Sequence, residues 1–134
     1  MGEYPGKDRR EFVRYNYYEP MKYQAINFPK DKAFSALEDA MSQNLSACGI
    51  LFVAEAKKTP AISSLVVLDL DYRTANICKE IEEKALMIGN KLIGRVARIE
   101  DNSDGTFGVG VAFVRKTDPI AKEINKIEDL IKRA

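Results

Sequence analysis

The chain contains no histidine, which excludes the common Ser–His and Cys–His nucleophile pairs and His-based zinc sites. Carboxylates or lysines could still do chemistry, but the side chain best suited to proton transfer near neutral pH is missing. Cysteine is scarce as well. Cys48 and Cys78 stand alone, with no metal-ligand spacing and no second pair, and read as reduced, packed thiols. Neither sign of charge is in excess: the formal net charge of +1 removes the global basicity of a general nucleic-acid binder, so any anion site must be local. No apolar run reaches about eighteen residues, and the start is not basic-then-apolar. Neither a membrane span nor a secretory signal is visible, so a soluble, cytoplasmic protein is expected. Low-complexity sequence is absent too, and 134 residues with 46% hydrophobic and 31% charged side chains fit one ordered globular domain with a modest core.

What is present is mostly strand-like. A leader over residues 1–8, carrying Gly2, Pro5 and Gly6, reads as flexible. Apolar and alternating runs then predict strands over 12–18, 22–28, 40–45, 49–55, 64–71, 92–99 and 106–115. A loop is expected within 30–38 and a turn at 57–60. Asp101-Asn102-Ser103-Asp104-Gly105 has the residues a hairpin loop needs. Short strands with polar turns in this number suggest a small closed barrel, which removes exposed sheet edges. Two segments read differently. Cys78, Ile81, Ala85 and Ile88 recur at helical spacing and predict an inserted helix within 74–90, ended by Gly89 and Asn90. The competing reading is a polar loop followed by one bent strand over 85–99. In 118–134, Asp118 as N-cap, Pro119 at the first helical position and the stripe Ile120, Ile124, Ile127, Ile131 predict an amphipathic C-terminal helix. Its Glu128–Lys132 and Asp129–Arg133 pairs are spaced four apart and add support.

Two short motifs carry the chemistry. Arg9-Arg10-Glu11-Phe12-Val13-Arg14 lies where the leader runs into the first strand, and Asn44-Leu45-Ser46-Ala47-Cys48-Gly49 follows later. Alone, the first reads as a solvated charged face and the second as strand-end punctuation. In this order, in a small β-rich chain, they resemble the two signature elements of PilZ domains, which bind the bacterial messenger cyclic di-GMP. The resemblance extends to Gly94-Arg95-Val96-Ala97-Arg98 and Gly110-Val111-Ala112-Phe113, similar to the Gly-x-Val-x-Arg and Gly-Val-x-Phe strands of that family. It covers most of 9–116. Asn44 for the commoner Asp is within the family pattern. Cys48, where the family often has Gly, is a departure, and so is the 74–90 insert, where many members have only a short connection.

The resemblance implies a mainly β fold. It would be a small antiparallel barrel of six to seven strands over 9–117, with the inserted helix and a C-terminal helix. It also implies a receptor for cyclic di-GMP rather than an enzyme, with no cofactor and no membrane partner. Carried over residue by residue, the ligand-binding positions are Arg9, Arg10, Arg14, Asn44, Ser46 and Gly49. The chemistry agrees. The ligand offers two phosphates and two guanines with O6 and N7 acceptors, and guanidinium pairs bidentately with either. Asn44 can donate and accept at a base edge, Ser46 can donate to a base or phosphate, and Gly49 permits a close backbone approach. In that family an arginine at the position of Arg9 accompanies a stacked pair of ligands, implying two cyclic di-GMP per chain. Binding is expected to draw the leader over the barrel and change the surface seen by a separate downstream protein.

The two apolar stripes imply self-association through helices, since one small barrel covers two stripes with difficulty. Two other classes compete. One is a PilZ-like scaffold that assembles without nucleotide. The other is a small barrel binding single-stranded nucleic acid through Tyr15, Tyr17 and Tyr18, against which the near-neutral charge argues. The glycine-rich run 105–110 lacks the Lys-Ser/Thr continuation of a phosphate loop. Asp69 and Asp71 read as carboxylates on the wet face of a strand, and Glu80, Glu82 and Glu83 as the solvated face of the insert.

Overall fold

The computed structural model describes residues 15–27, 33–34, 37–55, 59–75, 77–126 and 128. Within them the strands are β1 (Tyr15–Asn16), β2 (Pro20–Asn27), β3 (Ala33–Phe34), β4 (Glu38–Leu45), β5 (Gly49–Glu55), β6 (Leu65–Asp69), β7 (Met87–Ile88), β8 (Lys91–Asp101) and β9 (Thr106–Phe113). Two short helices, α1 (Cys78–Lys84) and α2 (Ile120–Asn125), follow β6 and β9 respectively. Six strands close an antiparallel barrel in the order β2-β4-β5-β9-β8-β6 and back to β2. The mainly β barrel with a helix in the insert and another near the C-terminus is the architecture expected from the strand pattern.

Alternation explains the interior. On β5, Ile50, Phe52 and Ala54 are buried and pack inward, while Leu51 and Val53 between them are half-buried on the outer wall. Tyr23 of β2 meets Phe52 with ring centroids 5.0 Å apart, and both are buried in the interior cluster with Leu45, Val66, Leu68, Val96 and Val109. Burying an aliphatic or aromatic side chain of this size contributes roughly 1.5–3 kcal/mol, so this cluster is the main source of stability.

β6 departs from alternation because it is covered on both faces. Val66 and Leu68 face the barrel interior. Leu65 and Val67 belong to a second cluster with Ile26, Leu86, Ile88, Ile93, Val114, Ala121 and Ile124. A strand buried on both sides reads as a continuous apolar run, and Leu65-Val66-Val67-Leu68 is one. α2 and β7 therefore cover one part of the outer wall, over β2, β6 and β8. The outer wall over β5 and β9 has no such cover among the described residues.

The insert differs from the helix expected over 74–90. A single 3₁₀ turn at Tyr72–Thr74 precedes α1, which is only seven residues long. Ile77, Ile81 and Ala85 close onto the barrel interior. At Ala85 the chain turns extended: the Leu86 N–H donates to the Val114 carbonyl at 2.7 Å, and β7 pairs with β8. Gly89, at φ +66°, sits in the turn between β7 and β8 instead of ending a helix. Among the described stripe residues Cys78 and Ile120 are half-buried, while their own barrel fully buries Ile81 and Ile124 and all but buries Ala85 and Ile88. For these residues the exposed-stripe argument for self-association no longer holds; Ile127 and Ile131 lie outside the described residues. At the start of α2, the Asp118 side chain accepts from the Arg115 N–H at 2.8 Å, and its carbonyl accepts from the Ala121 N–H at 3.0 Å. Its carboxylate caps the preceding turn and not the helix.

Candidate functional site

A cavity of about 220 Å³ opens on the uncovered outer wall, lined by Asn44, Ser46 and Gly49 together with Leu51, Arg98 and Gly110 and their neighbours. Three of the six residues singled out from sequence therefore come together. Arg9, Arg10 and Arg14 lie outside the described residues.

Asn44 reaches this wall because β4 is irregular. Met41 pairs with Val53 and Ser42 with Phe52, but the next pair is Asn44 with Leu51, so Gln43 is an extra residue. A bulge of this kind inverts side-chain parity. Ser42 is buried and so is Leu45; strict alternation from Ser42 would have turned Asn44 inward and Leu45 outward. The bulge aims Asn44 at the cavity and returns Leu45 to the core.

The turn after β4 is built by Ser46. Its N–H donates to the Gly49 carbonyl at 2.9 Å, and its Oγ accepts from the Gly49 N–H at 3.1 Å and the Cys48 N–H at 3.3 Å. The hydroxyl proton is left with long partners, the Gly49 carbonyl at 3.3 Å and Cys48 Sγ at 3.4 Å. A ligand acceptor could take it at a better distance. Ser46 is 4% exposed, so it shapes the rim as much as it offers a group to it. At Gly49 a Cβ would stand 2.4 Å from the Val111 carbonyl oxygen. The close backbone approach expected there is real, but it is to β9, which seats the turn against the sheet.

The entry of the chain into the barrel is fixed beside this site. Tyr15 pairs with Leu45 and Asn16 with Asn44. Between β1 and β2 the strand breaks, and Ser42 spans the break: its Oγ accepts from the Glu19 N–H at 2.9 Å and donates to the Tyr17 carbonyl. The Tyr17 hydroxyl in turn donates to the Asp71 carbonyl. Sequence reasoning passed over Ser42. Its only signal was a serine at an interior position of an otherwise β-patterned run.

A second, more open cleft of about 270 Å³ is lined by Pro20, Met21, Lys22, Asp39, Asp69, Leu70 and Asp71. Lys22 Nζ lies 2.5 Å from Asp39 Oδ1, a contact that raises the Lys22 pKa above its ordinary value, first through the hydrogen bond and then through the charge. Three carboxylates against one ammonium are the wrong balance for a phosphate ligand. Among the described residues no group of His, Cys, Asp and Glu could hold a metal ion, and no helix is long and apolar enough to cross a membrane.

Fold and cavity together define a small closed antiparallel barrel with a recess on its outer wall. No protein-family model matches the chain, and no curated protein matches it in sequence. Among solved structures it is similar to the Bacillus subtilis inhibitor of motility, MotI/DgrA, with a TM-score of 0.50 and 15% identity over 96% of this chain and 55% of that one. At that identity the likeness is one of fold, and the chain spans about half the length of that structure.

Proposed function

We propose that this chain is a receptor for cyclic di-GMP that signals to a separate protein partner and carries out no reaction itself. The observation that carries the reading is the convergence of Asn44, Ser46 and Gly49 on one cavity at the point where β1 enters opposite Leu45. Arg14, the last residue of the first motif, immediately precedes Tyr15 in the sequence. The cavity, about 220 Å³, is smaller than the roughly 300–1,000 Å³ of a site that encloses a drug-sized ligand. It suits part of a cyclic dinucleotide, with Arg9, Arg10 and Arg14 supplying the remaining contacts and the positive charge. The structurally similar chain is named for inhibiting motility, a regulatory task in keeping with a receptor. Of the tyrosines behind the single-stranded nucleic-acid reading, Tyr17 is engaged with Asp71 and packs against the core, whereas Tyr18 is exposed.

Calorimetry with cyclic di-GMP on the full chain tests this. Saturation at two ligands per chain is expected, with Arg9 serving the second. Arg10→Ala and Arg14→Ala should each weaken binding roughly ten- to several-hundred-fold, since a hydrogen bond to a charged group contributes about 1.5–3 kcal/mol and each guanidinium makes more than one. No heat of binding from folded wild type would overturn the reading. Saturation at one ligand would overturn the stoichiometry alone.

A further inference from the structure

β8 carries a second bulge, and it mirrors the one on β4. Val96 pairs with Val111, but the next pair is Arg98 with Gly110, so Ala97 is the extra residue. Val96 is buried and Ile99 packs against the interior cluster. Strict alternation from Val96 would have sent Arg98 inward; the bulge turns it to the outer wall, where it lines the same cavity as Asn44. Asn44, Leu51, Gly110 and Arg98 then form one row across β4, β5, β9 and β8. At about 4.8 Å per strand the row spans about 14 Å. Each end of it is a polar side chain delivered by a bulge, and bulges beside binding sites commonly re-aim a side chain.

Leu51 stands half-buried in the middle of the row; beside it the floor is small. Gly49, Gly110 and Ala112 present no side chain beyond a methyl, which lets a planar ring lie close to the sheet. The Arg98 stem lies over Gly110: a Cβ there would stand 3.1 Å from Arg98 Cγ and 3.4 Å from Nε. The side chain is 54% exposed, and its NH1 has a loose contact at 3.9 Å with Glu100 Oε2. That carboxylate argues against a phosphate at Arg98, because it would repel the anion. It leaves a neutral acceptor edge as the better partner for the guanidinium.

We propose that Arg98 is a specificity-determining residue that pairs with the O6/N7 edge of a guanine lying on the Gly49–Gly110–Ala112 floor. The proposal rests on the cyclic di-GMP reading and deepens it, assigning base recognition to a residue outside both signature motifs. Bidentate pairing of this kind is the commonest specific side-chain contact to guanine.

The test is a cycle between residue and ligand atom. Wild type and Arg98→Ala are titrated calorimetrically with cyclic di-GMP and with its 7-deazaguanine analogue, which lacks the N7 acceptor. Circular dichroism checks that the exposed substitution leaves the barrel folded. Wild type should bind the analogue roughly tenfold more weakly than cyclic di-GMP, the loss of one hydrogen bond to a charged donor. Arg98→Ala should bind cyclic di-GMP roughly ten- to hundred-fold more weakly than wild type and no longer distinguish the two ligands. If Arg98→Ala weakens both ligands equally and keeps the discrimination, Arg98 serves a phosphate and the proposal fails. Unchanged affinity in Arg98→Ala overturns it as well, while leaving the receptor reading intact. Absence of cyclic di-GMP binding in wild type overturns the receptor reading and this inference with it.

Discussion

The hydroxyl of Ser42 is buried and holds the break between β1 and β2 by accepting the Glu19 N–H at 2.9 Å and donating to the Tyr17 carbonyl. Removing it takes this partner from the part-buried Glu19 N–H and Tyr17 carbonyl, and a group orphaned by burial costs about 1–3 kcal/mol. Ser42→Ala should therefore lower stability by roughly 2–4 kcal/mol, read as a fall in the denaturant midpoint with an unchanged slope. Because the same hydroxyl sets where β1 lies along β4, cyclic di-GMP affinity should fall in the folded variant too. A variant as stable as wild type would show that the Tyr17–Glu19 backbone is held by its ladder bonds alone. Ser46, by contrast, stands on the cavity rim, so Ser46→Ala should cost binding about 0.5–1.5 kcal/mol, the worth of one neutral hydrogen bond. The two serines are chemically identical and four residues apart, yet one holds the frame and the other the rim.

Element by element, the strands were legible where one face is wet and the other buried. β5 alternates cleanly, and the buried-on-both-sides β6 announced itself as an apolar run. The site was half legible: Asn44, Ser46 and Gly49 could be found by motif, but not the geometry that unites them. A bulge adds one residue without any marker in composition, so the parity that aims Asn44 and Arg98 outward appears only with the pairing of neighbouring strands. The second half of the insert was misread for a related reason. Ala85 and Ile88, three apart, share a face only on a helix; in the extended chain they part, Ala85 to the interior cluster and Ile88 to the outer one, and the choice is made by distant partners, the Val114 carbonyl and β8. The packing of α2 gives this scale its own prediction. Ile124 is buried among the cluster that roofs β6 and β8, so Ile124→Glu places an unpaired charge in an apolar setting and should destabilise the fold by several kcal/mol. Thermal unfolding at fixed protein concentration reads this out. Undiminished stability with a lower mass by light scattering would mean instead that the stripe is covered by a second copy.

At the scale of the whole molecule, the barrel interior and the insert are each tied to a tyrosine whose ionisation opposes folding. Tyr23, in the centre of the barrel, has its pKa pushed up from 10.0 to about 12 by burial first and by Glu38 and Glu55 after it. Tyr72 is likewise pushed up to about 12, by burial and by its hydrogen bond to Glu82 Oε2 at 3.0 Å. Below pH 10 both tyrosines are protonated in the folded and unfolded chain, so they add no pH dependence and their stabilisation is intact. Between about pH 10 and 12 the unfolded chain releases protons that the folded chain retains, and stability falls as pH rises through that window. The loss is at most of order 2 kcal/mol per tyrosine once both states are ionised, and less where solvent screens the phenol. Tyr72→Phe removes one titrating group while keeping the ring in the interior cluster, to which Leu70 and Ile81 also belong. That variant should begin at lower stability near pH 8, having lost the bond to Glu82, and then decline less steeply than wild type up to pH 12. Denaturant midpoints taken at intervals from pH 8 to pH 12 for both proteins decide it. Parallel curves would mean that Tyr72 ionises as readily in the folded chain as in the unfolded one, and that the insert is not held to the barrel through a protonated phenol.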